Sequence, residues 1–199
     1  MVKGKILIVS TNKGKIREIS SMLSCMEGLV IETIGPEYKE LDIEENGLTF
    51  CENALIKAKS YAERYGVAAL SDDSGLEVDV LDGRPGVQSA RYAGFNASDE
   101  DRVNKLLHEL KGVQDAYRLA RFVCCVCLYD PGTQDAIYSK GVCEGRISQA
   151  PRGANGFGYD PIFVVNGTSG RTMAELSMEE KNKLSHRAIA LKGLVEKIV

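Results

Sequence analysis

At 199 residues, with 44% hydrophobic and 27% charged residues, the chain has the length and balance of one globular domain over residues 1–199, or one domain with two lobes. A net charge of −3 argues against a general nucleic-acid or membrane-surface binder, while leaving open a small anionic ligand held by local clusters. No apolar run approaches a membrane span and the opening MVKGKILIVSTN lacks a signal-peptide layout, so the expected setting is the cytoplasm, with no nucleic-acid and no membrane partner.

Residues 5–9 read as a fully buried first strand. They lead into Ser10, Thr11, Asn12, Lys13, Gly14 and Lys15, after which Ile16, Ile19, Met22 and Leu23 recur at helical spacing. A strand, a polar Gly-containing turn and a helix form a layout that binds phosphate, because free N–H groups and the helix dipole attract an anion; Lys13 and Lys15 add charge. The run is not a P-loop, since G-x-x-x-x-G-K-[ST] is absent. Ordinary helix capping by Ser10, Thr11 or Asn12 is the competing reading. Residues 30–34 form a short strand. Residues 37–46 form an acidic loop with Glu40, Asp42, Glu44 and Glu45, most of them solvated. Thr49-x-x-Glu52 is a capping box opening a helix whose apolar face is Ala54, Leu55, Ala58, Tyr61, Ala62 and Tyr65, with Gly66 as its C-cap.

That helix returns the chain to a strand at 67–70, which delivers Ser71, Asp72, Asp73, Ser74 and Gly75 to a turn before residues 76–80 lead away in strand-like alternation. Asp, Ser and Gly all suit turns, so local backbone bonding is one reading. The other is an oxygen cage for a hard cation, since paired carboxylates suit Mg²⁺ held together with substrate phosphates.

Residues 82–86 form a tight turn. Ser98-x-x-Asp101 starts a helix with Val103, Leu106, Leu107 and Leu110 on one face and Gly112 closing it. Residues 116–129 form a long apolar strand with 136–147 as its antiparallel partner, so the expected architecture is α/β with a mixed sheet. The Gly-rich stretch 151–158 precedes a strand at 162–165. In it, Phe157 is either folded onto the core or a flat surface for a base to stack on. Ser177-x-x-Glu180 opens the last helix, whose buried stripe is Leu184, Ala188, Leu191, Leu194, Val195 and Ile198. Lys181, His186 and Arg187 crowd its early turns as an anion or base site.

The six cysteines are Cys25, Cys51, Cys124, Cys125, Cys127 and Cys143. Cys125 and Cys127 point to one face of an apolar strand, with no second pair at zinc spacing, so the strand cysteines are expected to be buried thiols acting as small hydrophobes.

The stretches STNKGK, ENALIKA, SDDSGLEVDVLDGRPGVQSARYAG, GANGFGYDPIF and AELSMEEKNKLSHRAIAL, in this order and spacing, resemble the inosine/xanthosine triphosphate pyrophosphatase family from Ile6 to about Leu194. The resemblance implies an enzyme that hydrolyses ITP, dITP and XTP to the monophosphate and pyrophosphate. It also implies Mg²⁺, a homodimer, and an elongated mixed β-sheet with helices whose two lobes flank a central nucleotide-binding cleft. Matched residue by residue, Ser10 through Lys15 correspond to the triphosphate loop, and Asp73 to the catalytic proton acceptor and a metal ligand. Ser74 corresponds to a substrate contact, and Glu45 to the other metal ligand, with Glu44 adjacent as the alternative. Phe157, Gly158, Tyr159 and Asp160 match the base-and-sugar segment; Lys181, His186 and Arg187 match the base-recognition and phosphate side. A donor such as Arg187 or His186 would favour the 6-keto oxygen of inosine and xanthosine over the amino group of adenosine. Rival readings are a Maf-type nucleotide pyrophosphatase, which FGYD and Ser185-His186-Arg187 disfavour, a non-catalytic nucleotide sensor, and an interaction protein whose acidic loop is only surface.

Overall fold

The computed structural model describes residues 4–24, 26 and 28–198. The chain runs β1 (Gly4–Val9), α1 (Lys13–Leu23), β2 (Leu29–Thr33), α2 (Phe50–Tyr65), β3 (Ala68–Val78), α3 (Asp99–Glu109), β4 (Leu119–Asp130), β5 (Asp135–Ile147), β6 (Phe163–Val165), α4 (Met178–Leu184) and α5 (His186–Ile198), with short 3₁₀ turns between. The strands form one six-stranded sheet in the order β2-β1-β3-β4-β5-β6. β1 pairs in parallel with β2 and β3, and β5 pairs antiparallel with β6, so the sheet is mixed, as the sequence predicts.

The chain divides into two compact units. The first takes the segments up to Asp73, Cys124–Gly141 and from His186 onward; the second takes Ser74–Val123 and Val142–Ser185.

In the first unit, strand alternation builds a core on each face of the sheet. Ile6, Ile8, Leu70, Cys124, Val126 and Leu128 pack with Ile19 and Leu23 of α1 and Leu191 and Leu194 of α5. Leu7, Val9, Ala69, Cys127 and Tyr129 face the other way, onto Ala54, Ala58, Tyr61 and Ala62 of α2. The Thr49/Glu52 capping box and the left-handed Gly66 C-cap bound α2 as the sequence predicts. Gly141 on β5 lets α5 lie close, because a Cβ there would fall 2.0 Å from the His186 carbonyl oxygen.

In the second unit, Leu76, Val78, Val103, Leu106, Leu110, Phe122, Ile147, Ile162, Phe163, Met173 and Leu176 share one core. α3 has the expected Ser98/Asp101 capping box. The buried Arg118 guanidinium donates to the carbonyls of Leu110, Ile147 and Ser148, which ties the end of α3 to the end of β5.

Three expectations are corrected. The Ser71–Gly75 stretch is not a turn: β3 runs unbroken from Ala68 to Val78. Ser71 is buried and its hydroxyl donates to the Ala54 carbonyl of α2, and both Asp72 and Asp73 find side-chain partners, so extended backbone is retained through residue types that favour turns. The last helix is two helices. Ser185 is extended, its N–H closing α4 on the Lys181 carbonyl, so Lys181 belongs to α4 while His186 and Arg187 open α5. Finally, Cys125 is not a thiol but is joined to Cys51 of α2 in a disulfide, because the face of β4 that carries Cys125 and Cys127 meets α2. Cys124, Cys127 and Cys143 are buried thiols, as expected, and Cys25 lies outside the described residues.

Candidate active site

Consecutive residues of a strand point to opposite faces, so β3 sends Asp72 and Asp73 to different neighbours. Asp72 is 1% exposed. Its Oδ2 accepts from Arg187 Nε and Nη2, each at 3.1 Å, and pairs with Lys15 Nζ at 3.0 Å. The Arg187 Nη1 goes to Glu18, itself buried on α1. Burial alone would push the Asp72 carboxyl up; Lys15, Arg187 and Lys57 outweigh it and hold the group well below the usual carboxylate range. Asp72 is therefore a fixed anion, paired on Oδ2, while Oδ1 is buried without a hydrogen-bond partner among the described residues.

Asp73 faces α2. Its Oδ2 accepts from Asn53 Nδ2 at 3.1 Å, and its Oδ1 lies 3.9 Å from Lys57 Nζ. Lys57 also pairs with Glu45 at 3.0 Å. The Asn53 amide oxygen accepts from the Gly47 N–H at 2.8 Å, fixing the loop that carries Glu45. Burial raises the Asp73 pKa, and Lys57, Lys15 and Asn53 offset this only in part. The two adjacent aspartates thus have opposite electrostatics: one held ionised beneath the site, the other with an affinity for a proton or a cation.

Among the sequence-predicted residues, Asn12 caps α1, its side chain accepting from Gly14 N at 2.9 Å and Lys15 N at 3.1 Å, and Ser10 accepts from Asn12 N. The capping reading of this turn is therefore realised, with Thr11 and Lys13 exposed beside it. Glu45, not the exposed Glu44, faces Lys57. Arg187 is 2% exposed and three of its nitrogens go to Asp72 and Glu18 in a buried ion network. His186 is buried at the start of α5.

The second unit holds the residues from Phe157 to Asp160. Phe157 N–H donates to Asp160 Oδ2 at 3.0 Å, and Lys181 Nζ pairs with the same oxygen at 2.8 Å while standing 5.1 Å from the Phe157 ring centroid. Tyr159 is buried and its hydroxyl donates to the Ser89 carbonyl at 3.0 Å. Tyr159 and Asp160 therefore anchor the segment, and Phe157 is its partly exposed aromatic face.

The sequence alone assigns no role to Glu18, nor to Asn53 and Lys57, although the last two lie in the ENALIKA stretch. A signal was present for the last two. They are four residues apart on α2 and so share a helix face, flanking the apolar stripe.

This α/β fold is similar to solved Ham1 structures. It matches a HAM1 protein from Coxiella burnetii with a TM-score of 0.87 at 43% identity, covering 98% of both chains, and the Ham1 protein of Staphylococcus aureus with a TM-score of 0.86 at 39% identity, covering 98% of both. The chain belongs to the Ham1 family, whose model matches residues 6–197. Among curated relatives, it is 47% identical to the dITP/XTP pyrophosphatase of Halalkalibacterium halodurans over 94% of this chain and 95% of that one. It is 48% identical to the dITP/XTP pyrophosphatase of Geobacter sulfurreducens over 94% and 92%.

Proposed function

We propose that the protein hydrolyses non-standard purine nucleoside triphosphates, ITP, dITP and XTP, to the monophosphate and pyrophosphate. Membership of the Ham1 family and the dITP/XTP pyrophosphatase relatives support the reaction. The observation that carries the reading is the Asp73 carboxylate, raised by burial and set between Asn53 and Lys57, with Glu45 on the same lysine.

These residues fit a divalent cation. Asp73 and Glu45 converge on one ammonium group, and burial at Asp73 outweighs its cationic neighbours. No group of three His, Cys, Asp or Glu side chains able to hold a metal occurs among the described residues. Mg²⁺ needs no more than one or two carboxylates, because it fills its shell with water and substrate phosphate. Glu45 and Asp73 would be its protein ligands. When bound, the ion supplies charge neutralisation at the phosphate oxygens and polarises water. The chain's own groups do the rest. Asn53 fixes the Asp73 carboxylate, which orients a water toward the α-phosphorus and accepts its proton as the bridging oxygen leaves with pyrophosphate. Lys13, Lys15 and Lys57, with Ser10, Thr11, Asn12, Gly14 and Ser74, would hold the triphosphate. Phe157 would stack on the base, Gly158, Tyr159 and Asp160 would shape its seat, and Lys181 and His186 would offer donors to a 6-keto oxygen. Arg187 would act through Asp72.

Purified protein with Mg²⁺ and a nucleotide panel, followed by phosphorus NMR, tests this. Pyrophosphate and a monophosphate are expected from ITP, dITP or XTP, with little from ATP; orthophosphate with a diphosphate would mean that a different bond is cut. We infer a cytoplasmic homodimer, expected to sediment at twice the 21.7 kDa chain mass. Among the described residues no helix is long and apolar enough to cross a membrane.

A further inference from the structure

The segment from Phe157 to Asp160 is held from within by Asp160, Lys181 and the Tyr159–Ser89 bond. A further bond comes from outside it. Gly158 N–H donates to Asp99 Oδ2 at 2.7 Å. Gly158 has φ +61°, a left-handed conformation that glycine adopts without strain. Asp99 is the first residue of α3, but it does not cap that helix. Ser98 and Asp101 form the capping box between themselves. The Asp99 carboxylate is therefore available for another task. It is also fixed: Arg102 Nη2 donates to Oδ1, while Arg102 Nη1 donates to the carbonyls of Ala90 at 2.7 Å and Ala97 at 2.9 Å. The result is a chain of bonds from the 90–97 loop through Arg102 and Asp99 to the Gly158 amide, one residue from the Phe157 ring.

We propose that Asp99, braced by Arg102, is a positioning residue for the base-binding segment, holding the Gly158 peptide so that the Phe157 ring is set to receive a purine. The proposal rests on the reading of this segment as the base site. A carboxylate-to-amide bond is charge-assisted and stronger than a neutral one. Without it, the Gly158 peptide loses its bond to α3, and the substrate would have to fix the adjoining Phe157 ring at each binding event, which weakens binding and leaves the chemical step alone.

The experiment compares the wild-type protein with Asp99→Ala and Asp99→Asn, using ITP as substrate and inorganic tripolyphosphate, which has no base, as a competing inhibitor. For Asp99→Ala, the KM for ITP is expected to rise by about tenfold or more, the change that loss of one charge-assisted bond brings, with kcat within about twofold of wild type. The inhibition constant of tripolyphosphate is expected to stay unchanged. Asp99→Asn keeps a carbonyl oxygen for the Gly158 N–H and should recover most of the loss; it also carries the test if the alanine variant folds poorly. An unchanged KM, or a tripolyphosphate constant that weakens in step with it, overturns the role of Asp99. Failure of the wild-type protein to release pyrophosphate from ITP, dITP or XTP would instead reject the parent reading.

Discussion

Asp72 and Asp73 are neighbours in sequence, yet substitutions at the two should act in opposite directions. Asp72 balances the buried Arg187 and Lys15, so Asp72→Ala removes the carboxylate that both cations share. The expected cost is about 3–5 kcal/mol, read as a lower urea midpoint. Because its folded pKa is depressed, the Asp72 contribution is fully present above the unfolded value near 4 and is lost as pH falls below it. Asp73 has a raised pKa, so its ionised form is disfavoured by folding at neutral pH. Asp73→Asn should leave the urea midpoint equal or higher while kcat falls on the order of 10²–10⁴-fold. In the metal-free protein, an NMR titration of the Asp73 carboxyl should find its pKa above the ordinary aspartate value. The importance of both residues was legible in the sequence, because adjacent carboxylates after an apolar run are unusual. Their division of labour was not, since it depends on which helix packs on each face of β3.

At the scale of elements, α2 carries the most that the sequence left unread. Its boundaries and apolar stripe follow from capping chemistry and periodicity, but Asn53, Lys57 and Cys51 matter only through what α2 packs against. The facing of Cys125 with Cys127 was readable from strand alternation; the partner on α2 was not, because the chain gives no sign of which helix covers which face. The Cys51–Cys125 bond closes a separation of 74 residues, and a chain-entropy estimate puts the stability lost on reduction at about 4 kcal/mol. Denaturation with and without reductant should show that difference, and Cys51→Ser should abolish it. The division of the last helix at Ser185 was hidden for a similar reason. Leu184 continues the apolar spacing across the break, although it is 40% exposed rather than part of the buried stripe, and an extended serine leaves no mark in the pattern.

For the whole molecule, the mixed sheet, the order of elements and the family were all legible, because strand–helix alternation and the spacing of the motifs survive without coordinates. Two lobes were expected, but where the chain divides was not readable, since both units are assembled from discontinuous segments. β3, β4 and β5 each pass from one unit into the other within a single strand. Heating should therefore give one calorimetric transition whose enthalpy matches the van't Hoff value; two separated transitions would show independent melting. The continuity of β3 carries one more consequence. Side chains repeat every second residue, so a single codon-length insertion or deletion just ahead of Asp72 would turn the strand over from that point, presenting Asp73 to α1 and α5 and the charge-locked Asp72 to α2. Spacing upstream of this pair is thus as binding a constraint as the identity of the two acids, and changes of length there should be tolerated far less than changes of side chain.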